Sequence, residues 1–348
     1  MGVESKYGLK FGYMERGPRN LITDVPGVRV GHVTLHDGEI HTGVTAIIPH
    51  PGDVFHEKCL AGAHVINGFG KSIGLVQVQE LGTLETPILL TNTLSVGTVS
   101  TALVEYMLER NDDIGLDAGT VNSLVMECND ARLSDIRGLH VTKEHARAAL
   151  DAAAETFAEG DVGAGAGMVC YSLKGGIGSA SRLCRLYGET YTVGALVMTN
   201  FGTLRDLRVA GDPVGERLFW QEAEQKDKGS IIVVIATDVP LSARQLERVA
   251  KRAQSGIART GGISGNGSGE IALAFTTGNK LAHYSSDRLE SIRLVYEEDI
   301  DEVFRAAIES VDEAIISSML HANAVTGRAG NHYKSLADLY MPEKKSEK

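Results

Sequence analysis

The chain has 348 residues, 43% hydrophobic and 23% charged, the balance of a water-soluble globular protein able to bury a sizeable core. Its formal charge of −11, with no basic stripe above the background, excludes a nucleic-acid partner, because phosphate binding needs a cationic surface. No window reaches the ~18 apolar residues of a membrane span, the first seven residues lack an apolar signal core, and four scattered cysteines without a C-x-x-C pair predict reduced thiols in a cytoplasmic protein.

Strand-like and helical runs alternate along the chain. Short β-branched runs predict strands at 28–33, 44–48 and 88–90. Helices fit 98–110 and 143–158, the second opened by Thr142 with His145. Strands are predicted again at 168–171 and 193–199. The stretch 211–229, with Asp212-Pro213 and Lys226-Asp227-Lys228-Gly229, reads as a solvated excursion. The nearly continuous apolar runs within 231–237 and 271–276 predict strands buried on both faces, with helices covering the sheets. Between them a helix begins at Ser242. Ser242 and Gln245 make a capping-box pair, and Ala243, Leu246, Val249, Ala250, Ala253 and Ile257 form one apolar stripe. A last helix, 299–322, carries Val303, Phe304, Ala307, Val311, Ala314, Ile315 and Leu320 on its core side. No linker or internal repeat interrupts this order, so residues 1–348 are expected to form one domain of mixed strands and helices.

Several motifs point to chemistry that their context excludes. Gly163-Ala164-Gly165-Ala166-Gly167 imitates a dinucleotide fingerprint, but a helix precedes it where a strand is required and the third glycine comes one residue early. Close packing or a substrate-facing loop suits it better. Gly70-Lys71-Ser72 copies the end of a phosphate-binding loop, yet Val65 occupies the first glycine position. Of eleven histidines, His32 and His36 share a strand face but stand ~13 Å apart, and no H-E-x-x-H or paired Cys/His spacing occurs, so neither a metal nor a cofactor is expected. A serine elbow, G-x-S-x-G between strand and helix, is also missing.

Gly265-Asn266-Gly267-Ser268-Gly269-Glu270 is different, because it leads straight into the apolar run Ile271-Ala272-Leu273-Ala274-Phe275. Glycines allow close backbone approach and unusual torsions. One reading is a glycine-rich turn before a core strand. The other is a cleavage site, at which the Ser268 hydroxyl attacks the Gly267 carbonyl and leaves Ser268 as a new amino terminus. An α-amine titrates near ~7.7–8.0, so nucleophile and base would then reside on one residue.

These residues carry a family likeness. The chain resembles the DmpA/BapA-type aminopeptidases, the L-aminopeptidase/D-Ala-esterase-amidases and β-peptidyl aminopeptidases. The likeness runs through Asn20–His32, Leu90–Gly97, Asn129–Gly138, Val162–Met168, Thr199–Gly202, Ala236–Leu241, Ala258–Gly261 and the Ser268 motif. The resemblance implies a four-layer αββα sandwich, similar in layers to the N-terminal-nucleophile hydrolases but differently connected. It implies self-cleavage into an α chain, 1–267, and a β chain, 268–348, and release of N-terminal residues from short peptides, amides or esters through an acyl-enzyme on Ser268. A homotetramer of α/β units is expected on the same ground. Asn200 corresponds to an oxyanion-hole amide, with a turn-stabilising asparagine as the plainer alternative. Ser310 with Asp312 or Glu313 corresponds to a serine and acid that steady the new amine. Asp312 keeps the family spacing, whereas Glu313 shares a helix face with Ser310. Glu127 is a candidate anion for the substrate's ammonium, or else a structural partner of Arg132 or Arg137. The competing reading is an acyltransferase of the ornithine acetyltransferase type, which uses a threonine where this chain has Ser268.

Overall fold

The computed structural model describes residues 7–219, 229–285 and 288–340. In chain order the strands are β1 (Arg29–Asp37), β2 (Ile40–Ile48), β3 (Glu57–Gly68), β4 (Thr83–Leu84), β5 (Ile88–Asn92), β6 (Leu124–Cys128), β7 (Val169–Cys170), β8 (Leu173–Lys174), β9 (Gly176–Leu186), β10 (Glu189–Asn200), β11 (Ser230–Thr237), β12 (Gly269–Ala282), β13 (Val325–Thr326) and β14 (His332–Tyr333). Among the described residues the helices are α1 (Leu75–Leu81), α2 (Val96–Leu108), α3 (Lys143–Asp151), α4 (Val214–Leu218), α5 (Ala243–Lys251), α6 (Ala253–Arg259), α7 (Asp301–Leu320) and α8 (Leu336–Leu339).

Two sheets stack face to face, one of order β1-β2-β5-β6 and one of order β4-β3-β12-β11-β10-β9. Ile47, Leu90 and Met126 of the smaller sheet meet Met198, Val234, Leu273 and Phe275 of the larger in one buried cluster. Each fully buried side chain of this kind contributes about 1.5–3 kcal/mol. Helices α2 and α3 cover the outer face of the smaller sheet through Val99, Leu103 and Ala146. Helices α5, α6 and α7 cover the larger one through Leu246, Ile257, Val311 and Ile315. The four layers are therefore αββα, as the resemblance implied.

Topology brings four chain ends to one place. β11 and β12 are parallel, so the helices between them form a crossover and both strands start on the same edge. β10 runs antiparallel to β11 and ends there at Asn200, opposite Ser230. β3 runs antiparallel to β12 and ends there too, with Asn67 opposite Glu270. The head of β12, a central strand, thus lies among the head of β11 and the tails of β10 and β3.

Several expectations need correction. The predicted helix 143–158 stops at Asp151, because Ala154 exchanges both backbone hydrogen bonds with Val30 and extends the edge of the smaller sheet. The strand at 168–171 is only the two-residue β7. The excursion 211–229 is not solvated throughout: Val214 and Leu218 of α4 enter the core, while Lys226-Asp227-Lys228 lies outside the described residues. The capping pair at Ser242 forms as expected, each backbone N–H meeting the other side chain, at 3.0 and 3.2 Å. The helix it opens breaks at Arg252 into α5 and α6.

Candidate active site

Ser268 is fully buried at the head of β12. Its hydroxyl donates to Glu270 Oε1 at 2.9 Å, and the Ser264 hydroxyl donates to Glu270 Oε2 at 2.6 Å. Side chains two apart on a strand share a face, which is why Glu270 can reach back to Ser268. Ser264 has φ +54°, a left-handed conformation costly for a residue with a Cβ, so the loop holds strain where it aims this hydroxyl. The Ser268 amide closes a turn onto the Gly265 carbonyl at 2.8 Å. Asn67 Nδ2 gathers the same loop from β3, donating to Gly265 O and Asn266 O at 3.2 Å each and to Ser268 O. Gly269 donates to Ser230 Oγ at 3.2 Å. A Cβ on Gly269 would lie 2.6 Å from the Phe69 carbonyl oxygen, so the crossing of the 69–70 segment requires glycine there.

Asn200 is buried in the next row of the sheet but one, opposite Ser230, which in turn pairs with Gly269. Its Oδ1 accepts from Val169 N and its Nδ2 donates to Asn129 O, both at 2.9 Å. The other amide proton has no partner among the described residues. Lys174, buried in the same region and pushed down to about 7 by desolvation, ties Gly165 O, Met168 O and Gly175 O together at 3.0, 3.1 and 2.7 Å. The Gly163–Gly167 motif is thus a packed loop beside Asn200.

Glu127 reaches the same region from the smaller sheet. Its Oε1 and the Gly269 Cα lie 3.8 and 3.9 Å from the point where a Gly70 side chain would begin, so the two flank Gly70. Lys71 N donates to Oε1 at 2.9 Å and Thr93 Oγ1 donates to Oε2. Both donors are neutral, and among the described residues Glu127 has no ion-pair partner, neither Arg132 nor Arg137.

The structure does not bring Ser310, Asp312 or Glu313 to Ser268. Ser310 Oγ donates to Val193 O at 3.3 Å, and Val193 lies seven residues before Asn200 on β10, about 23 Å of extended strand away. Asp312, raised to about 7 by burial, stands 3.7 Å from Arg259. Glu313 is sealed against Arg182, Arg16 and Asn20 at 2.8–3.0 Å. All three lie on α7 over the part of the larger sheet remote from the head of β12. The serine of α7 at the Asn200 end is Ser318, whose hydroxyl lies 2.7 Å from Thr199 Oγ1. Glu270 stood within the motif and its period-2 spacing could have flagged it. Asn67 had no local signal, because β3 itself was not predicted. The histidine pair is also resolved: His32 Nδ1 bonds Thr45 Oγ1 and His36 bonds His41. Among the described residues no three His, Cys, Asp or Glu side chains cluster as a metal site.

A buried serine hydroxyl at the head of a central strand, within a two-sheet sandwich walled by helices, defines a hydrolase of the N-terminal-nucleophile class. The chain belongs to peptidase family S58, whose sequence profile matches residues 20–333. It is 39% identical over 339 residues to the β-peptidyl aminopeptidase BapA of Sphingosinicella microcystinivorans, covering 90% of this chain and 84% of that one. The crystal structure of the PH0078 protein from Pyrococcus horikoshii OT3 superposes with a TM-score of 0.93 at 51% identity, over 97% of each chain. The L-aminopeptidase D-Ala-esterase/amidase of Ochrobactrum anthropi, described as a variant of the Ntn hydrolase fold, gives 0.88 at 36% identity over 94% of each chain.

Proposed function

We propose that this protein is a self-processing serine aminopeptidase whose Gly267–Ser268 bond is cut to give chains 1–267 and 268–348. Ser268 then carries both nucleophile and base: its α-amine takes the hydroxyl proton as Oγ attacks the substrate's carbonyl carbon. The leaving amine departs with that proton, an ester on Ser268 remains, and water hydrolyses it. The observation that carries this reading is the buried Ser268 hydroxyl, held by a carboxylate at a strand head in a member of this family. Asn200 would supply its free amide proton to the oxyanion, a contribution of roughly 3–4 kcal/mol to the barrier. Glu127, buried and without a cation among the described residues, would receive the substrate's terminal ammonium, which supplies the counter-charge such a carboxylate needs.

Substrates are short peptides, amides or esters with a free N-terminus, the class to which the names of the relatives point. The cut units assemble as a homo-oligomer, a tetramer on the family pattern, and work in the cytoplasm. Four buried free cysteines suit a reducing compartment. The test is a panel of α- and β-, L- and D-aminoacyl anilides against wild type and Ser268→Ala, with intact-mass analysis of both. Two pieces meeting at Gly267/Ser268, with turnover lost in the variant, are expected. Equal turnover by both proteins would overturn the nucleophile assignment.

A further inference from the structure

The uncut chain lacks the base that turnover uses. Before cleavage the Ser268 nitrogen is a peptide amide, with its hydrogen donated to Gly265 O at 2.8 Å and its lone pair delocalised into the Gly267 carbonyl. Some other group must take the Ser268 hydroxyl proton in the first reaction this chain performs. General-base catalysis needs an acceptor within about 2.6–3.2 Å of the donor oxygen.

We propose that Glu270 is the proton acceptor for self-cleavage, an assignment that rests on the Gly267–Ser268 cut inferred above. Its Oε1 is 2.9 Å from Ser268 Oγ, and both residues are fully buried. The second carboxylate oxygen is fixed by Ser264 Oγ at 2.6 Å, so the group is aimed rather than free to rotate. Asn67 holds the carbonyls on both sides of the scissile bond, those of Gly265, Asn266 and Ser268, which keeps the loop in place while its central bond changes.

The atoms balance without a further reactant except water. The Ser268 Oγ–H proton passes to Glu270 Oε1 as Oγ bonds to the Gly267 carbonyl carbon. The C–N bond from Gly267 to Ser268 then breaks, and the departing nitrogen takes the proton back from the Glu270 carboxyl. The products are an ester joining Gly267 to Ser268 Oγ and a free α-amine. Water adds to the ester carbon and releases the Gly267 carboxylate and the Ser268 hydroxyl. Glu270 ends as it began, now beside the new amine that takes over as base.

The experiment follows full-length chains made by cell-free translation, halted, and sampled on denaturing gels with intact-mass confirmation. Wild type, Ser268→Ala, Glu270→Gln and Glu270→Asp are compared. Glu270→Gln should leave the 348-residue chain uncut or cut at least about 100-fold more slowly, and Glu270→Asp should recover part of the rate. The wild-type rate should fall on acidification, because a protonated Glu270 cannot take the hydroxyl proton, and the residual rate of Glu270→Gln should not. Cleavage of Glu270→Gln at the wild-type rate would overturn the assignment while leaving the cut intact. If Glu270→Gln fails to fold, judged by its circular dichroism and melting, the wild-type pH profile decides, and a profile without acid loss overturns it. A wild-type chain that stays whole, or Ser268→Ala that is cut, overturns the function proposed above instead.

Discussion

Glu313 is the acid that helical spacing pairs with Ser310, and its replacement separates a structural role from a catalytic one. In the structure it is the buried end of an ion-pair network. Arg182 Nη2 donates to it at 2.8 Å, Arg16 Nε at 3.0 Å and Asn20 Nδ2 at 2.8 Å. The Arg182 and Glu313 side chains are 1% and 0% exposed, so neither charge can turn to water. Glu313→Gln keeps the shape and removes the charge. Breaking a buried pair from one side costs about 3–5 kcal/mol, because the remaining ion is stranded. Glu309, 3.2 Å from Arg182 Nε, offsets part of that and brings the expected loss to about 2–4 kcal/mol. At an unfolding entropy near 2.1 cal/mol/K per residue, a chain of 348 residues loses about 0.7 kcal/mol per degree, so Tm should fall by about 3–5 °C.

The assay is thermal unfolding of the purified protein beside anilide turnover measured well below the transition. Tm should drop while kcat stays within about twofold of wild type. An unchanged Tm with kcat lowered more than about tenfold would refute the placement of Glu313 away from the chemistry.

Four further outcomes follow. Asn200→Ala should lower kcat by about 10²–10³-fold with little change in KM, read by steady-state kinetics. Glu127→Gln should raise KM for substrates with a free α-amine and leave the folded state intact; the same shift with N-acetylated substrates would remove its ammonium-binding role. Gly269→Ala should cost about 1–3 kcal/mol or more of stability by forcing the 69–70 segment away, measured by denaturant unfolding. Asp130, buried with only the neutral Thr42 and Asn92 side chains beside its carboxyl, is raised by desolvation from 3.8 to about 7. Its folded form therefore binds a proton that its unfolded form releases between about pH 4 and 7, so stability falls as pH rises through that window. Asp130→Asn should be stabilising by about 2–4 kcal/mol at pH 8 and by little at pH 4, again by denaturant unfolding.

What the sequence conceals has a common cause in helix–sheet contact. β3, β6 and β9 carry no strong strand pattern, and two of them are rich in glycine, alanine and serine. On β3, a Cβ at Gly62 would come 2.4 Å from Glu247 N of α5. On β9, one at Gly178 would come 2.0 Å from Ala314 O of α7. These strands have small residues where helix backbones press on them, so tertiary contact overrides β-propensity. The β10, β11 and β12 strands were legible because both faces are buried in apolar side chains. Ser268 was legible for a related reason, since its glycines lead straight into the apolar run Ile271–Phe275. Ser310 misled because spacing along one helix cannot say which end of the sheet that helix end overlies.

The place of Ser268 also accounts for how a chain cut there would remain one molecule. β12 lies between β3 and β11, paired with both along most of its length, and both partners belong to residues 1–267. The network of Arg16, Asn20 and Arg182 with Glu309 and Glu313 crosses the same divide on the outer face of the larger sheet. Scission at the head of a central strand breaks neither set of contacts. It would free only the Gly267 end of the 260–267 loop, which Asn67 and Glu270 still hold through Gly265 O, Asn266 O and Ser264 Oγ, and would leave residue 269 hydrogen-bonded to the head of β11, to Gly229 O at 3.3 Å and to Ser230 Oγ at 3.2 Å. A new terminus made at a strand edge or in a mobile loop would fray. One made here would be fixed by the sheet on the edge where β10 ends at Asn200, so a cut at the position proposed would also hold the new amine in a fixed register.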